Sequence, residues 1–119
     1  MVERVKPGGL VAIGTKLEGF TAPRSIAFDP VHDRMYVPNG GINTVSVIDT
    51  TTNTVVGSPI VVGNTPLGIA FDPVHDRMYV TNLNSNTVSV IDTNTNTVVG
   101  SPILVGNGPY AIAFASSLS

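Results

Sequence analysis

The sequence predicts an all-β protein built from four-stranded antiparallel β-propeller blades, and two observations support this fold class. First, FDPVHDRMYVPN at 28–39 returns as FDPVHDRMYVTN at 71–82, so the chain repeats itself with an offset of 43 residues. A four-stranded propeller blade takes about 40–45 residues. Second, the 119 residues include 12 glycines and 9 prolines but only 12% charged side chains. This composition favours many turns over long helices.

The repeat extends well beyond that line. NTVSVIDTTTNTVVGSPIVVGN at 43–64 aligns without gaps with NTVSVIDTNTNTVVGSPILVGN at 86–107. A fainter copy precedes both, with Gly14 aligned to Gly57 and Gly100. The whole chain therefore follows one 43-residue period.

This period divides the single domain into two full blades and two partial ones. The full blades are predicted at 23–63 and 66–106. Residues 1–22 are predicted to be the end of a degenerate blade, and residues 109–119 the first strand of a further blade.

Each full unit is predicted to contain four short strands. In the second unit the first strand ends at Asp72-Pro73, because proline cannot donate to a ladder and favours a turn. Apolar residues on both faces, such as Val88, Val90 and Ile91, indicate sheets that stack face to face. The four strands are predicted at 66–71, 76–82, 87–93 and 98–106.

YVTN at 79–82, followed by NTVSVIDTNTNTVVGSPI, resembles the YVTN β-propeller repeat of surface-layer-like proteins. The resemblance is strong over 24–114, although the first unit has YVPN at 36–39. It implies a propeller of about seven blades, usually extracellular and usually serving adhesion or binding. It implies no shared active site, because the hallmark residues of the family are structural.

The blade count raises the question of how the propeller closes. Closed propellers need roughly 4–8 blades, and two whole blades with two fragments cannot close alone. Three arrangements remain open: a head-to-tail homo-oligomeric ring, a fragment of a longer chain that supplies the missing blades, and an open stack. Residues 93–119 contain no charged side chain that would protect an exposed end.

Charge and composition exclude several functions. The net charge is −2 and no basic run occurs, which argues against nucleic-acid binding. No apolar run approaches the ~20 residues of a membrane helix. The absence of cysteine excludes disulfides without fixing the compartment. MVERVKPGGLVAIG is not a convincing signal peptide, so the localisation stays open.

The corner Asp-Pro-Val-His-Asp-Arg, at 29–34 and 72–77, has two interpretations. Its His and Asp could bind a metal or transfer a proton. Alternatively, Asp accepts backbone N–H groups and Pro presets a hairpin turn. We favour the turn, because a motif that is repeated in consecutive blades usually has the same structural role in each. The stretches at 49–54 and 92–97 each contain one carboxylate, which is fewer than calcium sites usually have. We therefore predict no catalytic residue, metal or cofactor.

The two copies differ mainly in two connections that would lie on one rim of the blades. PNGGIN at 38–43 becomes TNLNSN at 81–86, and NTPLG at 64–68 becomes NGPYA at 107–111. Because function tends to lie on loops held by a rigid scaffold, we interpret this rim as a binding face. Neutral drift is the alternative. The candidate residues are Asn39, Asn43, Asn64, Asn82, Leu83, Asn84, Asn86, Asn107 and Tyr110.

These observations favour a non-enzymatic propeller-repeat protein that acts as a protein- or glycan-interaction scaffold, and the YVTN resemblance implies that it is associated with the cell surface. The alternative is a fragment of a propeller enzyme, such as a lactonase, a lyase or a quinoprotein-like dehydrogenase. Such enzymes need convergent polar residues along the central channel. The equivalent channel positions here are Arg24, Leu67 and Tyr110, a set with few groups suited to catalysis.

Overall fold

The computed structural model describes residues 23–115, which form two successive antiparallel sheets. Blade one contains β1 (Ala27–Asp29), β2 (Arg34–Asn39), β3 (Thr44–Asp49), β4 (Thr54–Val55) and β5 (Ile60–Val61). Blade two contains β6 (Pro66–Asp72), β7 (Arg77–Asn82), β8 (Thr87–Asp92), β9 (Thr97–Val98) and β10 (Ile103–Leu104). The all-β fold class is thus confirmed. The prediction for 1–22 lies outside the described residues.

The two blades have the same strand register. The β2–β3 ladder begins at the Arg34–Asp49 pair, and the β7–β8 ladder begins at the equivalent Arg77–Asp92 pair. Strands follow one another by tight turns in which Asn and Asp adopt positive φ, as these residues tolerate better than most. The sequence repeat is therefore also a repeat of backbone conformation.

The sequence predicts the fourth strand as one continuous segment, but in the structure it is divided in two. In each blade it consists of two short pieces that both pair with the third strand, β4 and β5 with β3, and β9 and β10 with β8. The interruption follows from Gly57 and Gly100, which have φ of 63° and 65°, and from the prolines two residues later. A left-handed glycine turns the chain, and proline has no N–H to donate.

The core lies between the sheets. Its blade-one side is formed by Tyr36, Val45, Val47 and Ile60, and its blade-two side by Ile69, Met78, Val80 and Ile91. Tyr36 is fully buried, and its hydroxyl donates to Asn96 Oδ1 of blade two over 2.5 Å. Burial, together with the nearby charge of Asp29, raises the pKa of Tyr36 to about 12.

Neighbouring segments of the chain approach closely at one repeated position. Ser25 Oγ donates to the Leu67 carbonyl. The equivalent of Ser25 in blade two is Gly68, where a Cβ would lie 2.7 Å from the Tyr110 carbonyl oxygen. Residues 109–115 therefore pass over blade two without forming a strand in the described structure. Their assignment to a further blade stays a prediction.

Within residues 23–115 no helix is long and apolar enough to cross a membrane.

Candidate binding face

The connections that differ between the copies lie together at one end of the blades, which we call the loop rim. The Leu83 N–H donates to the Thr65 carbonyl over 2.9 Å, and the Asn84 N–H donates to the Asn64 carbonyl over 3.2 Å. These bonds join a blade-two hairpin to the crossing from blade one. The loop rim consists of residues 40–43, 62–65, 83–86 and 105–109.

Two of the nine candidate residues lie beneath the loop rim. Asn39 and Asn82 are fully buried. Asn39 Nδ2 donates to Ser46 Oγ on the partner strand of its hairpin, and Asn82 Nδ2 donates to Ser89 Oγ in the same way, each over 2.9 Å. A Cβ at Gly63 would lie 2.7 Å from Asn82 Cγ, so the chain leaving blade one passes directly over this amide. These two asparagines fasten the hairpins rather than face solvent.

Asn43 and Asn86 join each hairpin to the connection that leaves its blade. Asn43 Oδ1 accepts the Thr65 N–H over 2.9 Å, and Asn86 Oδ1 accepts the Gly108 N–H over 2.9 Å. Both asparagines have positive φ. This repeated hydrogen bond gives the loop rim the same frame in both blades.

The turn held by these hydrogen bonds to Asn43 and Asn86 also explains a sequence difference. Thr65 has φ of 55° and its equivalent Gly108 has φ of 64°. Positive φ is strained for a β-branched residue and free of strain for glycine. The alignment of Thr65 with Gly108 was the available sequence signal for this turn, and our sequence interpretation missed it.

Polar side chains of the loop rim are tethered but open to solvent. Ser85 Oγ accepts the Asn64 N–H over 2.8 Å, and Asn84 Nδ2 donates to Thr65 Oγ1 over 2.7 Å. Both Asn64 and Asn84 remain open to solvent at least in part. Hydrogen-bonding groups held in this way lose little freedom when they bind.

The remaining candidates lie where the chain leaves blade two. Tyr110 is 68% exposed, and Asn107 is exposed as well. Leu83 is half-buried, with its Cδ1 3.8 Å from where a Cβ on Gly108 would be. Solvent therefore reaches both the ring of Tyr110 and the amide of Asn107.

The opposite end of each blade is built from the Asp-Pro-Val-His corner. Asp29 Oδ1 accepts the Val31 N–H over 2.9 Å, and Asp29 Oδ2 contacts His32 Nδ1 at 2.8 Å. Asp72 makes the same two contacts in blade two, with equal distances. These are the contacts of a hairpin turn. Within residues 23–115, the side-chain contacts between acidic and basic residues join Asp29 to His32 and Asp72 to His75.

The electrostatics of Asp72 follow from these contacts. Burial acts to raise the pKa of its carboxyl. Hydrogen bonds from the His75 side chain and from the backbone N–H groups of Val74 and His75 outweigh burial, so the pKa lies below its usual value. A carboxylate that remains ionised and fully engaged in a turn is unsuited to proton transfer near neutral pH.

The polar turns at 49–54 and 92–97 are also hairpin turns. Asp49 Oδ1 accepts the Thr51 N–H, and Asp92 Oδ1 accepts the Asn94 N–H, each over 2.8 Å. Across residues 23–115 there is no group of three His, Cys, Asp or Glu side chains that could hold a metal ion.

Comparison with solved structures places the chain among β-propeller-type folds. Kuenenia stuttgartiensis hydrazine synthase matches with a TM-score of 0.74 and 27% identity over 90% of this chain and 30% of that one. Apo AztD from Citrobacter koseri matches with a TM-score of 0.65 and 22% identity over 78% of this chain and 26% of that one. Luciferin-regenerating enzyme matches with a TM-score of 0.65 and 17% identity over 82% of this chain and 34% of that one.

The chain thus spans only about a third or less of the proteins that it matches. No protein-family model matches the sequence, and no curated protein does. The fold class is therefore shown, whereas membership of the YVTN family is not.

The expectation that the chain is not an enzyme is contradicted by these comparisons. Two of the matching structures, hydrazine synthase and luciferin-regenerating enzyme, are named as enzymes. The inference failed because repeated turn residues exclude chemistry only at the turns themselves. A propeller can place a reactive site elsewhere, with residues drawn from several blades.

Proposed function

We propose that the chain supplies blades of a β-propeller whose loop rim binds a protein or a glycan. The supporting observation is that sequence change between the copies is concentrated on the loop rim, while its hydrogen-bonded frame is retained. The Asn43–Thr65 and Asn86–Gly108 bonds have the same length. A constant frame with variable tips is the arrangement expected of a recognition surface.

The exposed chemistry of the loop rim suits such ligands. The amides of Asn64, Asn84 and Asn107 each offer donors and an acceptor, which match peptide groups or sugar hydroxyls. Next to the loop rim along the chain, the exposed ring of Tyr110 supplies an apolar surface with a polar tip, a combination enriched at interfaces. We propose that this binding serves attachment at a cell surface, as the YVTN resemblance implies. We propose further that residues 1–22 and 109–119 contribute to adjoining blades.

A glycan microarray, supplemented with immobilised surface proteins, tests the proposal. The fluorescently labelled chain is compared with a variant in which Leu83-Asn84-Ser85 is replaced by the blade-one sequence Gly-Gly-Ile. The matched control, Asn94→Thr, gives the opposite turn its blade-one sequence. We expect the loop variant to lose at least about tenfold in affinity, since central contacts each contribute over 1 kcal/mol. Equal binding by all three proteins would contradict the proposal.

A second candidate is that the blades form part of a propeller enzyme. The observation that favours it is the match to hydrazine synthase over 90% of the chain at 27% identity. The channel positions Arg24, Leu67 and Tyr110 lie on adjoining segments, as the contacts of Ser25 and Gly68 show. Turnover of a panel of chromogenic lactones that is lost in Arg24→Ala, but kept in Asn94→Thr, would support this candidate. Turnover unaffected by Arg24→Ala would contradict a role for this channel position.

A further inference from the structure

The dipeptide Asn-Gly occurs twice in the sequence, at Asn39-Gly40 and at Asn107-Gly108. Asparagine is one of the thermally labile residues. It deamidates when the backbone nitrogen of the next residue attacks its side-chain carbonyl carbon, and a following glycine hinders that attack least because it has no Cβ. The two pairs share this local chemistry, so a difference in their reactivity must come from the fold.

The fold protects Asn39 from this reaction. Its side chain is fully buried at the end of β2, and its Nδ2 donates to Thr44 Oγ1 over 3.2 Å and to Ser46 Oγ over 2.9 Å. Ring closure would break both hydrogen bonds, and the water that must open the ring cannot reach a buried amide. Asn39 should therefore react only when blade one unfolds.

Asn107 lies in the solvent-exposed part of the loop rim. Its blade-one equivalent Asn64 is exposed as well, although the blade-two hairpin lies beside it. Exposure is therefore a property of this position in the blade. Asn64 is followed by Thr65, whose β-branched side chain crowds the attacking nitrogen. Within residues 23–115, an exposed asparagine is followed by glycine only at Asn107.

One contact restrains the nitrogen that would attack Asn107. The Gly108 N–H donates to Asn86 Oδ1 over 2.9 Å, in a turn where Gly108 has φ of 64°. The nitrogen must give up this proton before it attacks, so the hydrogen bond to Asn86 must open first. Asn86 therefore sets how often the reactive geometry is reached.

We propose that Asn107-Gly108 is a site of spontaneous deamidation on the loop rim and that Asn86 restrains the reaction. The Gly108 nitrogen loses its proton to solvent and forms a bond to Asn107 Cγ, while the bond from Cγ to the side-chain nitrogen breaks and ammonia leaves. Water then opens the cyclic imide at either carbonyl carbon, which leaves aspartate or isoaspartate at position 107. Nothing is oxidised or reduced, and water is the co-reactant.

The product changes the charge of the loop rim. None of the loop-rim residues carries a charged side chain, so the new carboxylate is the first negative charge on this surface. Isoaspartate also lengthens the backbone by one carbon, which changes the position of the Gly108 N–H relative to Asn86 Oδ1. Ageing of the protein thus gives a second form of the loop rim, whichever ligand the first form binds.

The repeat supplies matched variants. Gly108→Thr gives blade two the Asn-Thr sequence of blade one, where Thr65 adopts the same turn with φ of 55°. A Cβ on Gly108 would lie 3.8 Å from Leu83 Cδ1, which is an ordinary contact. Asn86→Gly removes the accepting side chain and suits the φ of 56° at that position, whereas Asn86→Asp keeps an acceptor oxygen.

The native chain and these three variants are incubated at mildly alkaline pH and then digested with trypsin. Cleavage after Arg34 and Arg77 places Asn39 and Asn107 on different peptides. Tandem mass spectrometry follows the conversion of each amide to an acid, and enzymatic methylation of isoaspartate identifies the rearranged product. A parallel incubation in urea removes the fold from the comparison.

We expect Asn107 to react at least about tenfold faster than Asn39 in the folded chain, and the two to react at similar rates in urea. Gly108→Thr should slow the reaction about tenfold or more. Equal rates at Asn39 and Asn107 in the folded chain overturn the proposed site, as does a rate that Gly108→Thr leaves unchanged.

The role of Asn86 has its own readout. Asn86→Gly should accelerate deamidation of Asn107 about two- to tenfold, since one hydrogen bond is lost, and Asn86→Asp should not accelerate it. Asn39 serves as the internal control, because its amide stays intact in every variant that remains folded. An Asn107 rate that Asn86→Gly leaves unchanged, or that both substitutions raise equally, overturns the restraint.

Discussion

The two blades are nearly identical in sequence but differ in what covers them. Tyr36 is fully buried between the blades, whereas Tyr79, at the same strand position, is partly exposed and lines a cavity of about 240 Å³ with Phe71, Ile112 and Phe114. Gly63 is pressed against Asn82, whereas a Cβ added at Gly106 would meet no atom within 4 Å. The difference shows that neighbouring sheets, and not the repeat sequence, determine burial.

Truncating the two equivalent tyrosines should give the largest difference between the blades. We expect Tyr36→Ala to lower the free energy of unfolding by about 3–5 kcal/mol, because it leaves a core cavity and an unpaired Asn96 amide. Tyr79→Ala should cost about 1 kcal/mol, since its ring is partly solvated. Urea unfolding followed by far-ultraviolet circular dichroism measures both. Similar costs for the two variants would show that the blades are covered alike.

The two equivalent glycines provide a sharper test of close packing. Neither has positive φ, so alanine differs between them only in the space that it meets. Gly63→Ala places a methyl 2.7 Å from Asn82 Cγ and should cost about 1–3 kcal/mol. Gly106→Ala should be neutral or stabilise by up to about 1 kcal/mol, because it restricts the unfolded chain. Thermal unfolding midpoints decide, and a destabilising Gly106→Ala would refute the contrast.

The dependence of stability on alkaline pH tests the burial of the Tyr36 hydroxyl. Its pKa rises from 10.0 to about 12 on folding, so the neutral form is favoured in the folded state. The resulting stabilisation is fully present below pH 10 and is lost as the pH rises towards 12. Urea midpoints from about pH 8 to 11.5 should therefore fall less steeply in Tyr36→Phe than in the native chain. Tyr79→Phe is the control, and an identical slope in Tyr36→Phe would contradict the prediction.

Much of the candidate site could be read from the sequence, but its organisation could not. The alignment located the variable connections and the invariant turns. It could not show that Asn39 and Asn82 are buried while Asn64 and Asn84 are open to solvent, because all four are asparagines in or next to polar loops. That distinction depends on strand register, which directs the amides of Asn39 and Asn82 towards serines inside the hairpins.

The sequence by itself determined the blade: a 43-residue period, the order of its strands, and the turns that Asp, Asn, Gly and Pro impose through local backbone preferences. Tertiary structure alone decided that Asn43 and Asn86 join the loops, and that Ile60 is covered while Ile103 is open. The physical reason is that turn conformation is local, whereas burial and crossing contacts depend on which sheet lies alongside.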